Sequence, residues 1–159
     1  MDTSKVKDMS HMFENCIKIQ YIDLSSFDIS QIDNIQFLFY KCESLISINL
    51  SSFKKSTVKE MSSVFRNCYQ LKSVDLSNLE TSKLEYIGSI FKKCISLEFV
   101  DLSKINKNKV RNMDFMFYNC KSLTSLNLSN FDTSTVTWIE SMFDGCEKLK
   151  YYISYFIPI

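Results

Sequence analysis

The sequence predicts an α/β solenoid, a horseshoe of six 26-residue repeats, each pairing a short helix with a short parallel β-strand. Three observations carry that prediction. Cys16, Cys42, Cys68, Cys94, Cys120 and Cys146 fall at a constant interval of 26 residues. Phe13, Phe39, Phe65, Phe91, Phe117 and Phe143 stand three residues ahead of them without exception. Within each unit the apolar spacing changes from helix-like to strand-like. A fixed period between about 20 and 50 residues is the mark that stacked structural repeats leave in a sequence.

The first half of the unit predicts the helix. Val6, Met9, Met12, Phe13 and Cys16 recur at intervals of three and four, which is one face of a helix. The first slot is β-branched or Leu throughout, reading Val6, Ile32, Val58, Leu84, Val110, Val136. Ser4, Ser30, Ser82 and Ser134 stand just ahead of that face, where a hydroxyl would cap the first free amides. Ser56 or Thr57, and Asn108, take that place in repeats three and five.

The second half predicts the strand. Ile19, Leu45, Leu71, Leu97, Leu123 and Leu149 follow the cysteines by three, and then the pattern becomes Ile22-x-Leu24-x-x-Phe27. Alternation across Ile22-Asp23-Leu24 has the period of two of a short strand. One helix and one three-residue strand cannot bury their faces alone. Stacked copies can, with the strands in a parallel sheet and the helices on the other side. Residues 1–159 therefore read as one domain, with repeats at about 1–26, 27–52, 53–78, 79–104, 105–130 and 131–156. The chain opens inside a repeat at Asp2, and the slots fail after Leu149. It reads as a piece of a longer solenoid whose uncapped ends are open to self-association.

Composition narrows the functional classes. Nineteen Lys and Arg against 18 Asp and Glu give a net charge of +1. That balance is unlike the basic excess of nucleic-acid-binding modules, and no nucleic acid is expected as a partner. No apolar run reaches the roughly 18–20 residues of a membrane span, so membrane insertion is not expected either. The first residues, Met1-Asp2-Thr3-Ser4-Lys5, lack the apolar core of a signal peptide.

The string L-x-x-L-x-L-x-x-F/L has leucine-rich-repeat spacing, with Phe, Leu or Ile where many such repeats carry Asn or Cys. The stretch from Met113 to Ser134, MDFMFYNCKSLTSLNLSNFDTS, gives the fuller motif. Asp132 to Thr137 and Met142-Phe-Asp-Gly-Cys146 frame another copy. This text resembles the repeats of the BspA-like leucine-rich-repeat surface proteins, along residues 2 to about 152. The resemblance implies a leucine-rich-repeat solenoid displayed on a cell surface or outside the cell, with a role in adhesion. A cytoplasmic scaffold for protein partners is the alternative, and the unpaired-looking thiols and absent signal sequence point that way.

Candidate sites follow from the same grid. Tetrahedral zinc sites draw on close ligand pairs, whereas these cysteines are far apart and His11 is the lone histidine, so no metal site is expected. The thiols read as a buried stack of small apolar side chains, since helices packed roughly 8–10 Å apart hold them too far apart for disulfides. Asp23, Asn49, Asp75, Asp101 and Asn127 sit between inward strand residues and form a row on the concave sheet face. Such a row can hold a cation or a basic ligand, but the interleaved Asn residues favour a solvated polar row bonded partly across strands to the neighbouring serines. Variable positions on that face, Tyr21, Lys72, Phe99 and Tyr151 among them, are candidates for recognition. Tyr21 and Tyr151 also read as covers for the open ends of the core. Lys104, Lys107, Lys109 and Arg111 form a basic stretch that reads as a solvated loop. No nucleophile elbow or phosphate loop is present. The expectation is a non-enzymatic scaffold that binds a protein or glycan ligand on the concave face and takes no cofactor.

Overall fold

The computed structural model describes residues 3–55, 57–105, 109–127 and 134–149. Six coils stack in register, and five of the six predicted strands are present, β1 (Tyr21–Asp23), β2 (Ser47–Asn49), β3 (Ser73–Val74), β4 (Phe99–Asp101) and β5 (Ser125–Asn127), while the position of the sixth lies outside the described residues. All pairings are parallel, with Tyr21 opposite Ser47 and with Ser73, Phe99 and Ser125 in one row. The sheet comes in two pieces, β1-β2 and β3-β4-β5.

The predicted helix is not there. The described residues contain no α-helix, and a single 3-10 turn, Ser51–Lys55, follows β2. The helix-patterned half of each coil is instead a run of tight turns. In the first coil Met12, Glu14, Cys16 and Ile19 donate their amides to the carbonyls three residues back. Two residues in every coil have positive φ, His11 and Asn15 in the first and Phe37 and Lys41 in the second. Positive φ at the third residue of a turn is the type II geometry, and it stops a helix.

The remaining amides cross to the next coil. Met9, His11, Phe13 and Asn15 donate to the carbonyls of Asn34, Gln36, Leu38 and Tyr40 at 2.8–3.1 Å. The same four bonds recur at each of the five interfaces between coils. A helix would spend these amides on its own carbonyls.

Spacing explains why turns win. The conserved Phe side chains stack in one column, with successive ring centroids 5.5–5.9 Å apart. Helices side by side need roughly 8–10 Å. A coil that advances so little has room for a hydrogen-bonded ladder of turns but not for a layer of helices. The inward columns themselves are as the pattern requires: Ile32, Ile35, Leu38, Phe39, Cys42 and Leu45 are all buried. A second ladder of parallel bridges runs from Asp8 through Asn34, Glu60, Tyr86 and Asn112 to Trp138, on the other edge of the core from the sheet.

Without a helix, the expected serine N-caps lose their role. The amides of Ser30 and Ser82 are themselves donors, to Asp28 Oδ1 and Glu80 Oε1. Threonines near that slot link coils instead, Thr3 Oγ1 to Asp28 O at 2.9 Å and Thr57 Oγ1 to Ile32 O at 3.2 Å. The positions expected for Ser56, Lys107, Asn108 and the segment after Leu149 lie outside the described residues.

Candidate functional site

The sheet face is built from three positions per coil. In a strand the side chains alternate between faces, so Ile22, Val74 and Val100 point into the core while their neighbours face outward. Tyr21 is 58% exposed and Phe99 45%, and Asp23, Lys72, Asp75 and Asp101 are exposed as well. Asn49 is half-buried. The backbone of Asn127 pairs with Asp101 in β5. Tyr151 lies outside the described residues.

The Asp/Asn row is engaged locally. The amides of Ser25, Ser51, Ser77 and Ser103 donate to the side-chain oxygens of Asp23, Asn49, Asp75 and Asp101 at 2.8–3.0 Å. Each is an acidic or amide side chain folded back on the backbone two residues on, which turns the chain out of the strand. These bonds to Ser25 hold the Asp23 carboxyl below its ordinary value. At Asp75 the hydroxyl and amide of Ser77 do the same, against smaller upward pushes from desolvation and then from the Asp101 charge. The row therefore serves the fold first. Among the described residues no group of three or more His, Cys, Asp or Glu side chains could hold a metal ion.

The structure does bring three of the expected residues together. Asp75, Phe99 and Asp101 line one depression of about 270 Å³, with Ser73, Ser77 and Lys104. Tyr21 and Asp23 on β1 and Asn49 on β2 lie on the other piece of the sheet, Asn49 one coil away from Asp75. Sequence reasoning placed Lys104 in a basic loop instead. The signal that could have moved it to the sheet is the local Asp-Leu-Ser turn, which sends the chain back across the strand end. The basic stretch does not converge: Lys109 and Arg111 line a different, larger depression of about 630 Å³ with Glu85 and Thr135. There Arg111 Nε is 4.0 Å from Glu85 Oε2. That depression is wide and charged, whereas the sheet-face one sets an aromatic ring between carboxylates and an amine.

The cysteines are a buried column, as expected, but for another reason. Cys42, Cys68, Cys94 and Cys120 are fully buried, and all six are free. Each thiol from Cys42 to Cys146 donates to the carbonyl of the conserved Phe in the preceding coil, at 3.0–3.2 Å. There are no helices to keep the sulfurs apart. Directed hydrogen bonds and parallel side-chain vectors do so. Burial raises the Cys42 thiol to about 12 and the Cys146 thiol to about 11, and pushes Cys68 and Cys94 well up.

Comparison with known proteins places this geometry. A family model described as "Mycoplasma protein of unknown function, DUF285" matches residues 1–73 and, in an overlapping second match, residues 45–156. The chain belongs to the DUF285 family. No curated protein matches it. Among solved structures, a leucine-rich repeat protein from Eubacterium ventriosum superimposes with a TM-score of 0.56 at 18% identity, over 87% of this chain and 33% of that one. The Treponema (T. pallidum) leucine-rich repeat protein TpLRR does so with a TM-score of 0.59 at 19% identity, over 91% of this chain and 72% of that one. This DUF285 chain thus has the leucine-rich-repeat fold and spans a third of the first of those proteins. No helix among its described residues is long and apolar enough to cross a membrane.

Proposed function

We propose that this DUF285 chain is a non-enzymatic binding scaffold, an adhesin-type module displayed at a cell surface, which engages a protein or glycan through its sheet face. The observation that carries this reading is Phe99: a large apolar ring left 45% exposed on a rigid strand, beside Asp75, Asp101 and Lys104. An aromatic anchor ringed by polar groups is how a recognition surface concentrates its energy. The likeness of the repeat text to BspA-like proteins supports the adhesin assignment and the surface location. The free thiols give no support to a cytoplasmic location. The inner four, Cys42, Cys68, Cys94 and Cys120, are buried against Phe carbonyls, which shields them from oxidants in any compartment.

The test is binding of purified protein to arrays of host-surface proteins and neutral glycans. Phe99→Ala is expected to weaken whatever interaction is found by at least about tenfold, in line with loss of an anchor residue. Trp138→Ala, on the opposite ladder, is the control and leaves it unchanged. Equal effects of the two substitutions, or none from Phe99→Ala, would remove the sheet face as the site.

A further inference from the structure

The turn run presents its own outward face, away from the sheet. One slot on it, two residues ahead of the cysteine, reads Glu14, Tyr40, Arg66, Lys92, Tyr118 and Asp144 down the six coils. The two central coils carry cations there, the next two out carry tyrosines, and the outermost carry acids. Rings flank the cations on both sides. The Arg66 guanidinium carbon is 5.5 Å from the Tyr40 ring centroid, and Lys41 Nζ is 5.2 Å from the same ring. Lys92 Nζ lies 4.0 Å from the Phe115 ring and 4.9 Å from that of Tyr118. Contacts of this kind position cations without neutralising them.

The charge is uncompensated. Ion pairs among the described residues are His11–Glu14, Arg111–Glu85 and Lys121–Glu147, and none includes Lys41, Arg66, Lys92 or Lys93. Arg66 Nε is buried without a hydrogen-bond partner, although a buried donor left unmade costs about 1–3 kcal/mol. Burial, and then the charges of Arg66 and Lys93, hold the Lys92 amine below its ordinary value. The fold does not impose this. Along the flank beside the bridge ladder, Lys7, Asp33, Lys59, Glu85 and Arg111 alternate in sign from coil to coil. The same chain therefore alternates charge on one flank and concentrates it on another, in a protein of net charge +1.

We propose that the turn face binds an acidic polysaccharide, laid along the solenoid axis with its acid groups on Arg66 and Lys92 and with Lys41 and Lys93 as outer contacts. Arg66 and Lys92 on successive rigid coils, with Lys41 and Lys93 in the adjacent slot, suit a linear chain with an acid group at regular intervals. The coil advance of 5.5–5.7 Å at the Phe column of the inner coils is close to the length of one sugar residue. Single-stranded nucleic acid fits less well. It stacks bases on open aromatic faces, and here Tyr40, Phe115 and Tyr118 already have cations over them. The acids Glu14 and Asp144 close both ends of the row, which limits the bound length to about four coils' worth of sugar.

The experiment titrates the full chain with a heparin fragment, as the sulfated probe, and with polygalacturonate, as the uronate probe, at two salt concentrations. Binding of at least one is expected, weakening as salt rises because small ions are released from the polyanion. Arg66→Gln with Lys92→Gln is expected to lower affinity about tenfold or more at about 0.15 M salt. The outer pair Lys41→Gln with Lys93→Gln, of which Lys93 is exposed, should lower it by less, and serves if the first pair disturbs folding. Lys72→Gln with Lys104→Gln, on the sheet face, should leave it unchanged, so failure here is distinct from failure of the sheet-face reading. Overturning results are no binding of either polysaccharide, an equal loss from the sheet-face pair, or tighter binding of an oligothymidylate of matched charge.

Discussion

At the residue scale, the thiol and the carboxylate slots each have a defined partner, and each partner implies a measurable response. Cys68 and Cys94 are buried and donate to Phe carbonyls, so their ionised forms are disfavoured only while the chain is folded. A group whose pKa is raised on folding keeps its proton in the folded state after the unfolded chain has lost it. Stability is then full below the unfolded thiol value, near pH 8.5, and declines as pH rises toward the folded value. Urea midpoints are expected to be flat up to about pH 8 and to fall between about pH 9 and pH 12. The slope approaches about 1.4 kcal/mol per pH unit for each thiol that titrates only when unfolded. A thiol reagent at neutral pH should label half-buried Cys16 and Cys146 first and the inner four only after denaturant is added. A midpoint indifferent to pH across that window would sink the buried-column account. At the carboxylate slot, Asn49 makes the same bond to Ser51 that Asp75 makes to Ser77. Asp75→Asn is therefore expected within about 0.5 kcal/mol of wild type, and Asp75→Ala about 1 kcal/mol less stable. Equal melting of the two variants would contradict the turn-forming role.

At the element scale the question is why an apolar spacing of three and four gave turns. Inward positions such as Ile32, Ile35, Leu38, Phe39 and Cys42 satisfy a helix face and also a run of three-residue turns, so the core columns were legible while the backbone between them was not. What separates the two conformations is the outward slots. Asn15, Asn67, Asn119 and Gly145 occupy one of the two positive-φ slots, and these are the residues that tolerate that region best. Lys41, Lys93, Phe37 and Phe115 in the same slots hid the signal. The strands were legible because a period of two has no such double, and the sheet-face cluster of Asp75, Phe99 and Asp101 came with them. The cation row was missed because its meaning lies in stacking Arg66 on Lys92 across 26 residues, between slots that look variable along the chain. Ser89, with φ of 58°, tests the assignment of turns directly. In a helix Ala is favoured over Gly by about 1 kcal/mol. At positive φ the order reverses, because Cβ meets the following carbonyl. Ser89→Gly is expected to unfold at higher urea than Ser89→Ala, and the opposite order would restore the helix.

At the scale of the whole molecule, stability belongs to interfaces between coils rather than to any coil alone. Phe65 stacks on Phe39 and Phe91, its coil receives four amide bonds from the coil before it, and it donates four to the coil after it. Such an array behaves as a sum of nearest-neighbour terms. Removing residues 65–90, one full period, joins Val64 to Phe91 and leaves every slot in register. Phe91 then takes the place of Phe65 above Phe39, and the ladder re-forms across the junction. The shortened chain is expected to fold cooperatively with a urea m-value lower by about one-sixth, since m follows the surface exposed on unfolding. Removing residues 65–89 instead leaves Ile90 as one residue too many in the middle of the turn run. Bonded amides and crossing amides alternate there, so the extra residue exchanges their roles and strands buried polar groups at both neighbouring interfaces. Each stranded group carries a penalty of about 1–3 kcal/mol. The 25-residue deletion should therefore melt far below the 26-residue one, although it removes less of the protein. Similar urea midpoints for the two would mean that the coils are held by apolar burial alone, and that the ladder of backbone bonds does not set the period.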